Sequence, residues 1–257
     1  MKSYPTNPER TAEYLKNFNR EKTIKYLIRK NHPIIFDVGA NNGVSAKEFK
    51  QWWPDSIIHS FEPQEECWGE LDILEKEYID NSIVVNKYAA GNMPNKDATF
   101  YTHDITSGQS GFIKINLQSQ DSINMNKFKQ KNSSNDFNDY KQSLNKERSV
   151  EIIRLDDYMN QKKIENVHIL KIDTQGYEPE VLDGLGKRLS DIDLVITELM
   201  FYDFYERGLS FSDIEKYLLP AGFQLYDISH ISKNPMNGRT DWIDVIYINN
   251  RIRKSDK

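Results

Sequence analysis

Short runs of β-branched and other apolar residues recur along this chain, and between them lie stretches whose apolar positions fall three or four apart. The runs predict strands at Ile34–Val38, Ile57–Phe61, Ile83–Lys87, Val167–Asp173, Leu194–Glu198, Phe223–Ile228 and Asp244–Ile248. The spaced stretches predict helices at Val44–Trp53, Cys67–Tyr78, Pro179–Leu185 and Ser212–Leu219. Alternation of this kind is the sequence form of a mostly parallel sheet with crossover helices on both faces, a Rossmann-like α/β fold of seven strands. Ahead of the first strand, Tyr14, Leu15, Phe18, Ile24, Leu27 and Ile28 form an amphipathic pattern, so residues 1–32 are expected to be a helical cover over a sheet edge.

The rhythm breaks between the third and fourth strands. Ala98–Thr102 and Val150–Leu155 predict an inserted hairpin, separated by a stretch at about 119–149 rich in Asn, Lys, Ser, Asp and Gln. That stretch has too few large apolar residues to offset the entropy of ordering, which predicts a polar loop at the functional edge.

Composition narrows the function. The 257 residues suit one large α/β domain, expected at 33–250. A net charge of −5 offers no basic excess against a phosphate backbone, so nucleic acid is not an expected partner. No apolar run approaches the roughly 20 residues needed to cross a bilayer, and Met1–Arg10 lacks a signal-peptide layout. The single cysteine, Cys67, leaves no internal disulfide and no thiolate cluster, and the expected location is cytoplasmic.

The candidate chemistry gathers where strands end. Phe36 to Gly43 reads Phe-Asp-Val-Gly-Ala-Asn-Asn-Gly: a buried strand stops at a small-residue turn and a helix begins. Such a turn brings main-chain N–H groups up to a ligand at a helix N-terminus. The second strand ends at Phe61-Glu62-Pro63, which puts Glu62 where a carboxylate accepts hydrogen bonds from a ribose diol. Together these predict an adenosine site, for either a nicotinamide dinucleotide or S-adenosylmethionine. Glycine spacing decides between them, because Asn41 stands where a dinucleotide fingerprint has its middle glycine and no pyrophosphate path is evident. An amino-acid carboxylate needs only a few main-chain donors, and its ammonium finds an acceptor in Asp37 or the Gly39 carbonyl. Further on, Ile169 to Leu185 is another strand, turn and helix, in which Lys171 and Asp173 share a face and Glu178 opens the helix.

With the Phe36–Gly43 turn, Phe61-Glu62-Pro63, the Leu155-Asp156-Asp157-Tyr158 segment and the Lys171–Gly184 block in that order, the chain resembles the FkbM family of S-adenosylmethionine-dependent methyltransferases over roughly Pro33 to Ile248. The resemblance implies a class I methyltransferase domain, a seven-stranded sheet whose last strand is antiparallel, and O-methylation of a sugar, glycan or natural-product hydroxyl. Carried over by position, it implies cofactor contacts at Asp37, Gly39, Asn41, Gly43 and Glu62, and a second signature at Asp173, Gly176 and Glu178. The polar stretch at 119–149 is longer than the family norm, which bears on the acceptor.

A hydroxyl acceptor holds its proton tightly at neutral pH, so a base or a divalent cation is expected near the transferred methyl. Asp173, Glu198 and Lys171 are the expected catalytic residues. Asp173 or Glu198 can act as base, or together they can hold Mg²⁺, although two carboxylates do not define an octahedral site. His103 and His230 are further candidate bases, and the aromatic run Phe201–Tyr205 is a candidate platform for a sugar ring. The competing readings are N-methylation of a small molecule, which needs no base for a neutral amine, and a non-catalytic adenosyl-binding module.

Overall fold

Strand β1 (Ile34–Val38) sits at the centre because both of its faces are apolar: Phe36 and Val38 enter one core, and Ile35 enters the other. The computed structural model describes residues 5–253, apart from 79, 81, 105 and 125–140. On one side of β1 lie β2 (Ile57–Phe61) and β3 (Ile83–Asn86), and on the other β7 (Val167–Ile172) and β8 (Ile192–Met200), all parallel. Strand β10 (Thr240–Asn249) then runs antiparallel to β8 and to the edge strand β9 (Phe223–Lys233). The order is β3-β2-β1-β7-β8-β10-β9. It reverses direction of travel at β1, where open α/β sheets open a crevice at their carboxyl ends.

Helices cover both faces. On one, α2 (Arg20–Ile28), α3 (Val44–Trp52) and α4 (Glu65–Glu77) set Ile24, Phe49 and Leu74 against Ile35, Ile58, Ile169 and Ile246. On the other, α5 (Leu155–Lys162), α6 (Glu178–Asp183) and α7 (Phe211–Leu218) set Met159, Leu182 and Ile214 against Phe36, Leu170 and Val195. Helix α1 (Asn7–Asn17), closed at its start by a Thr6–Glu9 capping box, buries no residue. A short helix, α8 (Asn250–Arg253), follows β10.

The insertion forms a second sheet of three strands, β4 (Ala89–Ala90), β6 (Lys146–Ile153) and β5 (Asn95–Thr102), in that spatial order. It differs from the expectation at two places. Strand β6 starts at Lys146, inside the stretch expected to be a loop: Glu147, Arg148 and Ser149 are exposed on both of its faces, and its main chain pairs with β5. Leu155 begins α5 rather than ending a strand, since Leu155, Tyr158 and Met159 place three apolar side chains on one helical face. Within the polar stretch, residues 120–124 are helical, Asp121 pairs with Arg239 at 2.7 Å, and residues 125–140 lie outside the described residues. The N-terminal cover also differs: α2 packs on the sheet's face, not its edge, and Tyr14 and Leu15 of α1 remain exposed. Among the described residues no helix is long and apolar enough to cross a membrane.

Candidate active site

The turn after β1 is shaped by the strand next to it. Gly39 has φ 78°, and a Cβ built there would lie 1.9 Å from the Asp173 carbonyl oxygen, so only glycine lets the β1 turn pass the end of β7. Gly43, also left-handed at φ 75°, abuts Leu71 and Leu74 of α4, where a Cβ would come within 2.8 Å of Leu74. Its requirement is helix packing, and it does not line the cleft. Asn41, left-handed at φ 46°, turns its Oδ1 back to accept from its neighbour Asn42 N–H at 2.8 Å and from Ser107 Oγ at 3.1 Å.

Glu62 completes this corner. The main-chain N–H groups of Asn41 and Gln64 donate to its two carboxylate oxygens, each at 2.8 Å, tying the end of β2 to the β1 turn. Each oxygen keeps one lone pair for a ligand. Burial pushes the Glu62 carboxyl up to about 7, against the pull of those two hydrogen bonds.

Gly39, Asn41 and Glu62 line one cleft with Asp173, Thr174 and Gln175 from the end of β7. The cleft encloses about 100 Å³, less than the roughly 300–1,000 Å³ of typical small-molecule sites, and opens to solvent at its mouth. Its remaining wall comes from the insertion, with Ala89, Ala90, Phe100, Ser107, Gly108, Ser110 and Phe112. Those residues escaped the sequence reading. The small-residue run Ser107-Gly108-Gln109-Ser110-Gly111 was the available signal, and it is needed because Gly111 lies close to the Thr174 carbonyl, 3.2 Å from where a Cβ would stand.

Asp37 and Lys171 do not line the cleft but join it through Asp173. They are register partners on adjacent strands. Lys171 Nζ stands 3.3 Å from Asp37 Oδ1 and 3.4 Å from Asp173 Oδ2, and Asp37 is fully buried. Burial raises the Asp37 carboxyl above its ordinary value and Lys171 pulls it back; burial opposes the Lys171 charge, but Asp37 and Asp173 outweigh it and hold the ammonium above its ordinary value. At this separation we read the pair as ionised.

The Asp173 loop is held from below and from the side. Glu178, buried at the start of α6, accepts from Thr174 N–H at 2.8 Å, Thr174 Oγ1 at 3.0 Å and Gly176 N–H at 3.0 Å. Burial pushes its carboxyl up to about 7 despite those bonds. Gln175, left-handed at φ 55°, donates from Nε2 to Asp173 Oδ1 at 2.8 Å and accepts from the Tyr205 hydroxyl at 2.7 Å. Glu178 is thus a support for the loop, and Gln175 is a contact that the sequence reading did not pick out.

Glu198 lies on β8, paired across to Asp244 of β10, and is outside the cleft. Burial first, and then the charges of Asp173, Glu178 and Asp244, push its carboxyl up to about 9. Burial among like charges disfavours its ionised form. His103 is buried beside the cleft, with Nδ1 accepting from Asn145 N–H at 3.0 Å, and His230 is exposed on β9 opposite Asp244. Of the aromatic run, Phe204 and Tyr205 are buried in a small core with Ile115, Leu144 and Met200. Among the described residues no group of three or more His, Cys, Asp or Glu side chains is arranged to hold a metal ion, so the Mg²⁺ alternative has no donor set here.

Comparison with known proteins agrees with this architecture. The family model described as a methyltransferase FkbM domain matches residues 37–225. The 2-O-methyltransferase NoeI of Sinorhizobium fredii (strain NBRC 101917 / NGR234) is 25% identical over 199 residues, covering 73% of this chain and 72% of that protein. The crystal structure of the methyltransferase FkbM from Methylobacillus flagellatus KT matches 85% of this chain with a TM-score of 0.51 at 14% identity, a likeness of fold. This chain spans 44% of that protein's length. With its strand order, its glycine turn and a domain match over most of its length, the chain belongs to the FkbM methyltransferase family.

Proposed function

We propose that this methyltransferase moves the methyl group of S-adenosylmethionine to a hydroxyl of a sugar, a glycan or a natural product. The observation that carries the reading is a single cleft that joins the Glu62 corner and the glycine turn to Asp173. The residues present fit the cosubstrate: both oxygens of buried Asp37 lack a hydrogen bond, which suits an ammonium, and Glu62 keeps lone pairs free for a ribose diol. Val38, Phe61, Ala89, Phe100 and Phe112 give the cleft an apolar lining suited to a flat base. When bound, S-adenosylmethionine supplies a methyl group on a sulfonium, a strong electrophile. Gly39, Asn41 and Glu62 would hold and orient it in the cleft, with the Asp37 charge buried behind the glycine turn. Asp173 accepts the acceptor's proton as the new bond forms, and the insertion wall excludes water. The resemblance to a 2-O-methyltransferase supports oxygen as the acceptor atom.

Calorimetry tests the binding half: the protein binds S-adenosylhomocysteine and ignores NAD and NADP. Tight NAD binding without a response to S-adenosylhomocysteine overturns the reading. Methyl transfer from labelled S-adenosylmethionine to a panel of free sugars, glycans and amines tests the acceptor half. Asp173→Asn is expected to keep S-adenosylhomocysteine affinity and to lose roughly 10²-fold or more in turnover, the scale of general-base catalysis. Loss of binding instead makes Asp173 a cofactor residue, and labelling of amines alone replaces O-methylation with N-methylation.

A further inference from the structure

The arrangement of Lys171 asks for a reason. A buried lysine is costly unless paired, and β7 could place an apolar residue at this position, as it does at Ile169 and Ile172. Instead the Lys171 ammonium stands between two carboxylates that belong to different ends of the site, 3.3 Å from Asp37 under the glycine turn and 3.4 Å from Asp173 at the cleft. Among the described residues Lys171 is the cation in contact with Asp37, whose two oxygens are buried, and Arg20 acts on it only from farther away. Asp173 by contrast has a second donor, Gln175 Nε2, on its other oxygen, and is partly open to solvent.

We propose that Lys171 is a positioning residue, a buried counter-ion between Asp37 and Asp173 that keeps Asp37 charged and fixes the Asp173 carboxylate in place before either ligand arrives. The inference rests on the cofactor reading above and assigns Lys171 a role in it. Three charges in a row, negative, positive and negative, leave one net negative charge, and that is the charge a sulfonium cosubstrate with a zwitterionic amino-acid end would neutralise. Without Lys171, Asp37 would be an isolated carboxylate in the interior and would take up a proton. The ligand's ammonium would then have to displace that proton to obtain a charged acceptor. Lys171 removes this cost by holding Asp37 ready. The groups facing the row are Glu62 at the end of β2, Glu198 on β8, Asp244 on β10, Glu178 on α6 and Arg20 at the start of α2, which acts on both Asp37 and Asp244. Arg20 is paired with Glu48 at 3.3 Å, so Lys171 is the cation that touches Asp37.

The test uses the full chain, with S-adenosylhomocysteine as the probe. Calorimetry at about pH 8, above the value of about 7 to which burial raises Glu62, in buffers of different ionisation enthalpy counts the protons exchanged on binding. Lys171→Met is expected to release about one proton more than the wild type and to bind at least tenfold more weakly, whereas Lys171→Arg keeps the wild-type count. An unchanged proton count in Lys171→Met overturns the proposal. Melting gives a second readout that needs no ligand. Removing one partner of a buried pair is expected to lower the Tm of Lys171→Met by on the order of 10 °C, and Asp37→Asn added to it recovers much of that loss. A double variant no more stable than Lys171→Met shows that the lysine acts by packing alone and overturns the proposal. A wild type that ignores S-adenosylhomocysteine overturns the cofactor reading instead, and the melting comparison still decides the counter-ion.

Discussion

In the proposed reading Glu62 serves the fold with one lone pair on each carboxylate oxygen and leaves the other for a ligand. Its hydrogen bonds to Asn41 and Gln64 hold the corner, and burial puts its ionisation at about 7, above its ordinary 4.5. A group whose folded value is raised in this way contributes most to stability below its unfolded value, and that contribution is lost as pH climbs from about 4.5 to about 7. Ligand binding runs in the opposite sense, because the ionised form accepts hydrogen bonds from a diol and the protonated form has one acceptor fewer. Affinity for S-adenosylhomocysteine is therefore expected to fall as pH drops below about 7, approaching tenfold per pH unit, and Glu62→Gln is expected to flatten that dependence. A wild-type affinity constant between pH 5.5 and 8 would detach Glu62 from the ligand. This residue was legible in the sequence because it follows the second strand directly. Gln175 and Tyr205 were not, since a hydrogen bond between residues thirty positions apart has no local pattern.

At the scale of elements, β1 and β2 have the bounds read from the sequence, because apolar runs in a parallel sheet are buried on both faces and stop abruptly at turns. Edge and inserted strands were harder. The polar residues Lys146, Glu147, Arg148 and Ser149 form a strand through main-chain pairing with β5, which side-chain chemistry does not announce. The insertion's attachment is equally silent in the sequence. Gly184, after α6, lies against the main chain of Gly91, and a Cβ there would stand 2.2 Å from the Gly91 carbonyl oxygen. Gly184 has φ −65°, an ordinary helical value, so the constraint is contact alone and not conformation. Gly184→Ala is expected to cost roughly 1–3 kcal/mol or more by overpacking. Exposed Gly69 inside α4 has nothing within 4 Å of its Cβ position, and Gly69→Ala is expected to stabilise by about 0.4–1 kcal/mol. Chemical denaturation of the two variants measures both; equal effects would mean that the Gly91–Gly184 approach is not tight.

The molecule as a whole is a two-faced sheet whose carboxyl edge carries the cleft, walled by a second sheet inserted between β3 and β7. Helix α1 stands outside this arrangement. Eleven residues are too few to hold a helix in water by propensity, and α1 buries no residue to help; its aromatic contacts among the described residues run from Tyr14 to Phe18 and from Phe18 to Tyr26 of α2. Time, rather than energy, then separates it from the rest: its amide protons are expected to exchange with solvent within seconds, while those of β1 and β7 wait for global opening. Trypsin is expected to cut first after Arg10 or Lys16 and to leave a core that melts within about 1 °C of the intact chain. Slow exchange across 7–17 in hydrogen-exchange mass spectrometry would mean that α1 is covered in solution by something other than this chain's own core.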